Sequence, residues 1–258
     1  MSSRIALTKM HGARNDFVVV DGRTQSLGGL SEFAKFACDR RDGIGADGVI
    51  VIESSSAGGL AMRTVNADGS EAEMCGNGVR CAARWLDEAG EGDRVVFQTP
   101  GGTVRTEIVA RDPAYLVRVI MPVPRLIARF VEGLSDAAIV DVGNPHVVVF
   151  GAGEDVGVES LGPQLQNDPR WPDGVNVHAA IVEDEHRVRV RHWERGAGAT
   201  QACGTGAVAA AFAAIERGAA SSPVFVHVPG GTLVVEWDGR EAVLVGPAVR
   251  VFDTAVTV

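Results

Sequence analysis

The chain has 258 residues, 46% hydrophobic and 22% charged, with 24 Lys and Arg against 33 Asp and Glu. That composition describes a globular protein with a full core, long enough for two domains of ordinary size. A net charge of −9 without any dense basic run excludes a phosphate-tracking surface, and hence nucleic acid as a partner. No stretch approaches the roughly 18 apolar residues of a membrane span, and Met1–Lys9 lack the unbroken apolar run of a secretory signal. A cytoplasmic protein is expected.

Short β-branched runs between turn residues predict strands at Asp16–Val20, Val49–Ile52, Arg94–Gln98, Val104–Val109 and Leu116–Met121. Further strands are expected at Val147–Phe150, Val188–His192, Val224–Val228, Leu233–Trp237 and Ala242–Val245. Helical spacing marks Leu30–Arg40, with Ser31 as candidate cap, and the segments Gly76–Leu86 and Ala-rich Gly204–Glu216. Val249–Val258 reads as a last strand that returns to the first half.

Several segments occur twice, in the same order. Cys75-Gly76-Asn77-Gly78 returns as Cys203-Gly204-Thr205-Gly206, 128 residues on. Pro100-Gly101-Gly102-Thr103 returns as Pro229-Gly230-Gly231-Thr232, and Asn15 before an apolar run returns as Asn144, both 129 residues on. A fixed offset of half the chain indicates internal duplication. The expected fold is therefore α+β, with two pseudo-symmetric domains, each a curved, mostly antiparallel, barrel-like sheet around a central helix. The halves are expected at residues 1–115 with 249–258, and at 116–248, with a linker near Asp112–Tyr115 and the active site in the interdomain cleft. Each Pro-Gly-Gly-Thr reads as a hairpin turn.

Cys75 and Cys203 each stand at the start of a predicted helix. Free N–H groups and the positive end of the helix dipole there favour a thiolate and also bind a carboxylate. Two such starts facing each other let one thiolate remove a proton from an α-carbon while the opposite thiol delivers one to the other face. Cys38 and Cys81 read as core residues, and the absence of a Cys-x-x-Cys pair argues against structural zinc. The only lysines, Lys9 and Lys35, lack a glycine-rich phosphate-binding context, which disfavours a pyridoxal phosphate enzyme.

Asn15, Asn66, Asn77, Asn144 and Asn176 lie in glycine-rich polar turns, where an amide can hold either end of a zwitterion. Glu194-Arg195 offers a partner for an ammonium and a fork for a carboxylate. His146, after Asn144-Pro145, can orient or exchange protons with one thiol, and Glu194 can do so for the other.

Met10-His11-Gly12 with Asn15-Asp16-Phe17, Gly43 to Gly48, Asn66 to Glu71, Cys75 to Gly78, Gly143 to His146, and Glu194 to Gly206 together resemble diaminopimelate epimerases. The match runs in family order along nearly the whole chain. It implies a cofactor-independent two-base enzyme that interconverts LL- and meso-2,6-diaminopimelate, commonly as a homodimer. Carried onto this sequence, Cys75 and Cys203 are the acid/base pair, with His146 and Glu194 as their partners. Gly76, Asn77, Gly204 and Thr205 would bind the reacting carboxylate. Asn15, Asn66, Asn144, Asn176, Glu194 and Arg195 would hold the rest of the substrate. Arg14, Asp42, Gly48 and Ala199 depart from the usual family pattern. The alternatives are a racemase of another amino acid on the same scaffold and a non-catalytic anion-binding module. The full distal set, Asn66, Asn176, Glu194 and Arg195, favours a substrate with a second amino-acid end, and a thiol at both helix starts favours catalysis over binding.

Overall fold

The computed structural model of the chain describes residues 4–151 and 157–257. Residues 1–3, 152–156 and 258, which belong to segments named above, lie outside the described residues. In chain order the elements begin with β1 (Arg4–Gly12), β2 (Asn15–Asp21), α1 (Leu30–Cys38), β3 (Gly48–Ser54), β4 (Leu60–Asn66) and β5 (Glu71–Ala72). Next come α2 (Gly76–Glu88), β6 (Arg94–Thr99), β7 (Gly102–Ala110), β8 (Leu116–Met121), β9 (Arg125–Ala128), β10 (Ala137–Asp141) and β11 (Pro145–Phe150). The chain continues with α3 (Val158–Gln166), β12 (Asn176–Asp184), β13 (Arg187–Glu194), β14 (Gly198–Thr200) and α4 (Gly204–Glu216). It ends with β15 (Val224–Val228), β16 (Gly231–Trp237), β17 (Ala242–Pro247) and β18 (Val249–Thr257).

Two compact units result: one runs up to Val119 and includes the segment from Gly246 onward, the other is Ile120–Val245. In the first, hydrogen bonding joins β18, β1, β2, β3, β4, β6, β7 and β8 in that order, with β5 added to β4. In the second, β9, β10, β11, β12, β13, β15, β16 and β17 follow the same order, with β14 added to β13. The parallel pairs also coincide: β2–β3 and β4–β6 answer β11–β12 and β13–β15. β18 thus fills in the first unit the place that β9 fills in the second.

The sequence explains this layering. A parallel pair covered on both sides carries near-continuous apolar runs, here Phe17–Val20 and Val49–Ile52, all buried. Alternate residues point to opposite faces. Val18, Val20, Val49 and Val51 meet Phe33, Ala34 and Ala37 of α1, and Ile50 faces α2 at Gly78. In the second unit Val147, Val149 and Val177 pack with Leu165 of α3. α4 packs against β10, β11, β12, β13, β15 and β16. One helix can touch six successive strands only if the sheet curves around it. Its Ala-rich sequence, buried over Gly206–Ala214, permits that approach on all sides.

Both Pro-Gly-Gly-Thr segments are two-residue hairpins, closed by Thr99 opposite Gly102 and Val228 opposite Gly231. Two expectations are corrected. Helix α1 starts at Leu30 with Gly29 as its N-cap and no side-chain cap, so Ser31 lies inside the helix. Helix α3 was not expected, because Gly162-Pro163 reads as a breaker; Gly162 is required there, since a Cβ would lie 2.1 Å from Trp193 Cγ.

The β1–β2 hairpin turns on Ala13 (φ 51°) and Arg14 (φ 65°). A two-residue turn with positive φ at both positions favours Asn-Gly, and a side chain there is strained by roughly 1–2 kcal/mol. Arg14 is exposed. Arg14→Gly should therefore raise stability in chemical denaturation by about 0.5–1 kcal/mol after the entropy cost of glycine. A loss of stability would refute the strain.

Candidate active site

In the first unit Cys75 caps α2 in extended conformation (φ −130°, ψ 105°), and its sulfur accepts the Gly78 N–H at 3.4 Å. Gly78 leaves room for this contact: a Cβ would come within 3.1 Å of Ile50 Cδ1 and 3.5 Å of Cys75 Sγ. The half-buried sulfur lies 3.9 Å from Asn15 Oδ1. That oxygen also accepts from Asn77 Nδ2 at 3.1 Å, while Asn15 Nδ2 donates to Asp47 at 2.7 Å. The Asn15 amide is thus fixed at both ends.

Behind it lies Arg80, fully buried in the second turn of α2. Its guanidinium donates to Asn77 Oδ1 (2.8 Å), Gly76 O (3.1 Å) and Pro247 O (3.1 Å), all uncharged oxygens. Burial lowers its pKa to about 10, with the charges of Cys81 and Cys75 acting in the opposite direction. A buried cation without a bidentate carboxylate is costly.

The second unit repeats the cap. Cys203 has φ −125° and ψ 117°, and its sulfur accepts the Gly206 N–H at 3.3 Å and lies 3.5 Å from Thr205 Oγ1. Here the expected lowering of the thiol pKa is overturned. Burial and the neighbouring Glu194 charge push Cys203 well above the usual thiol value, outweighing the Thr205 and Gly206 hydrogen bonds. Desolvation of a fully enclosed sulfur exceeds what one helix end supplies. Cys203 rests as a thiol. Glu194 is positioned by Thr200, whose hydroxyl donates to Oε1 at 2.5 Å.

Three further imidazoles define this unit. His146, His178 and His192 are buried to 1% exposure or less. His146 Nε2 is 2.7 Å from Asn144 Oδ1, His146 Nδ1 is 2.8 Å from His178 Nε2, and His178 Nδ1 is 2.8 Å from His192 Nδ1. Burial lowers His146 and His192 to about 3 and His178 well below its usual value, so the row is neutral near pH 7. His178 lies against the start of α4, where a Cβ on Gly206 would fall 2.4 Å from its Cε1.

The remaining expected residues are placed as follows. Asn176 is buried, accepts the Arg195 backbone N–H at 3.0 Å and donates to Pro145 O at 3.3 Å, so its amide braces the Glu194-Arg195 corner. Arg195 is exposed and donates to Asp173 O at 2.8 Å. Asn66, exposed at the end of β4, donates to Ser70 Oγ at 3.0 Å. Gly76 and Gly204 open their helices and are buried. Cys38 and Cys81 are core thiols, which burial pushes up to about 11 and about 12. Arg80, Thr200, His178 and His192 were not anticipated. Comparing the duplicated segments exposes the histidines: Phe17, Ile50 and Thr64 hold the matching positions in the first unit.

Solved structures of other proteins share this fold. A solved PhzF-family phenazine biosynthesis protein from Bacillus anthracis has a TM-score of 0.77 at 16% identity, covering 99% of this chain and 100% of that one. A hydroxyproline epimerase from Agrobacterium vitis, solved with trans-4-hydroxy-L-proline, has a TM-score of 0.73 at 15% identity, covering 99% and 93%. Residues 7–127 and 138–251 match the diaminopimelate epimerase family. Proteins named diaminopimelate epimerase are 42% identical in Sphingopyxis alaskensis, over 95% of both chains, and 40% identical in Pseudomonas fluorescens, over 98% of this chain and 99% of that one. The chain belongs to the diaminopimelate epimerase family.

Since only the thiolate alkylates, labelling of Cys203 by a small alkylating reagent, mapped by mass spectrometry, should rise only above the usual thiol range. Glu194→Gln removes the nearby negative charge and should move that onset to lower pH. Onset at or below the range of a free thiol in the unmodified protein would contradict the burial argument.

Proposed function

We propose that this chain is an isomerase of lysine biosynthesis that interconverts LL- and meso-2,6-diaminopimelate without a cofactor, using Cys75 and Cys203 as its two proton-transfer groups. The observation that carries this reading is the pair of cysteine caps, each with a glycine N–H on its sulfur at 3.4 and 3.3 Å, in two units of one topology. Family membership supports the substrate.

Inversion by two bases requires one thiolate and one thiol on opposite faces of a single α-carbon. Cys203 is held as the thiol, by burial and by Glu194. The thiolate role then falls to Cys75, beside the buried Arg80 cation. The first N–H groups of α2 and α4, at Gly76, Asn77, Gly204 and Thr205, are assigned to the reacting carboxylate, which also lowers the cost of carbanion formation next to it. Glu194 serves Cys203 as proton partner. His146, neutral and hydrogen-bonded to Asn144 and His178, is assigned to orient the Asn144 amide. Asn15, Asn66, Asn144, Glu194 and Arg195 hold the remainder of the substrate, with Asn176 bracing the Glu194-Arg195 corner.

Independence from pyridoxal phosphate is supported by both lysines. Lys9 is buried between Asp16 and Gly45 O, and Lys35 is exposed beside Glu32. A homodimer in the cytoplasm is proposed with the family reading; among the described residues no helix is long and apolar enough to cross a membrane.

Cys75→Ala and Cys203→Ala should each lower the rate of LL-to-meso conversion by about 10²–10⁴-fold or more, the range of a lost acid–base group. Either variant turning over at the unmodified rate would remove its cysteine from the mechanism.

A further inference from the structure

The buried histidine row has a direction. Asn144 Oδ1 accepts only, so the His146 nitrogen facing it, Nε2, carries the proton. His146 Nδ1 is then an acceptor and takes the proton of His178 Nε2. His178 Nδ1 is in turn an acceptor and takes the proton of His192 Nδ1. The row ends on His192 Nε2, buried and without a partner among the described residues. In this order that last atom bears a lone pair. Reversing every hydrogen bond would instead strand an N–H there, and a buried N–H without an acceptor is the rarer and costlier orphan. Neutrality of His146 and His178 follows from the same contacts, since an extra proton on His146 Nδ1 or His178 Nδ1 would set two N–H groups face to face.

The two units treat their equivalent asparagines differently. Asn15 has its oxygen shared by Asn77 and Cys75 and its NH2 on Asp47. Asn144, half-buried, has its oxygen taken by His146, which leaves its NH2 as the end that can meet a ligand. The first unit holds Phe17, Ile50 and Thr64 where the histidines stand, so the row is no requirement of the shared fold.

We infer that His192, His178 and His146 form a one-way hydrogen-bond row that locks the Asn144 amide as a donor for a carboxylate of the substrate. His178 and His192 are therefore positioning residues for recognition, not groups that touch the substrate. This rests on the proposed function only in taking Asn144 as a substrate contact.

The test has two arms. In the full-length protein labelled with 15N-histidine, long-range proton–nitrogen spectra should show His146 and His178 protonated on Nε2 and His192 on Nδ1, with nitrogen–nitrogen couplings across both histidine hydrogen bonds. Protonation of His192 on Nε2 would overturn the inference, and this arm needs no activity. In the kinetic arm, His192→Leu removes the first donor, while His192→Asn keeps an N–H there. The leucine variant should raise KM for LL-diaminopimelate roughly tenfold or more, the worth of a hydrogen bond to a charged group, with kcat little changed. The asparagine variant should restore KM. A leucine variant with unmodified KM, or one rescued no better by asparagine, would overturn the inference. If the leucine variant does not fold, the spectra of the unmodified protein decide.

Discussion

Every α-helix begins with backbone N–H groups that have no partner within the helix. In this protein both central helices give one of those donors to a cysteine sulfur, from Gly78 to Cys75 and from Gly206 to Cys203. Much else follows from keeping that contact open. The third residue of each helix is glycine: at Gly206 a Cβ would strike the His178 ring, and at Gly78 it would crowd Ile50. Helix α4 carries small residues, so that a curved sheet can close on it, and the parallel pair β2–β3 is apolar on both faces. Fold and chemistry are thus specified by the same few positions.

Duplication supplies two copies of this device, and the buried polar groups around each copy make them unequal. Around Cys75 lie a buried guanidinium and a clamped amide, and the sulfur is half-buried. Around Cys203 lie a carboxylate and full enclosure, which hold the proton on sulfur. The two copies are thus alike in backbone and unequal in electrostatics. The neutral histidine row belongs to the same pattern, occupying positions that are apolar or hydroxyl-bearing in the sister unit.

Much of this was legible in the sequence because repeats and glycine-flanked cysteines leave their mark on the chain itself. The hairpins at Pro100 and Pro229, the helices after Cys75 and Cys203, and the last strand were readable from turn chemistry and propensity. Strand β1 was not, because Lys9 and His11 break its apolar alternation although Lys9 is neutralised by Asp16. Strand β12 was missed because Ala179-Ala180 has no strand preference of its own. Helix α3 was hidden by Gly162-Pro163. In the site, residue types were legible but ionisation was not. Helix position predicts a lowered thiol pKa, and only three-dimensional burial shows that desolvation wins at Cys203. Arg80, His178 and His192 likewise look unremarkable until their enclosure is known.

Isotope labelling at early turnover tests the two-thiol account most directly. With LL-diaminopimelate in D2O, the meso product should carry deuterium at the inverted carbon while the recovered LL substrate remains unlabelled, because the abstracted proton and the delivered one reside on different sulfurs. Deuterium entering the recovered substrate as fast as it enters the product would mean that one group serves both faces, and would contradict the account.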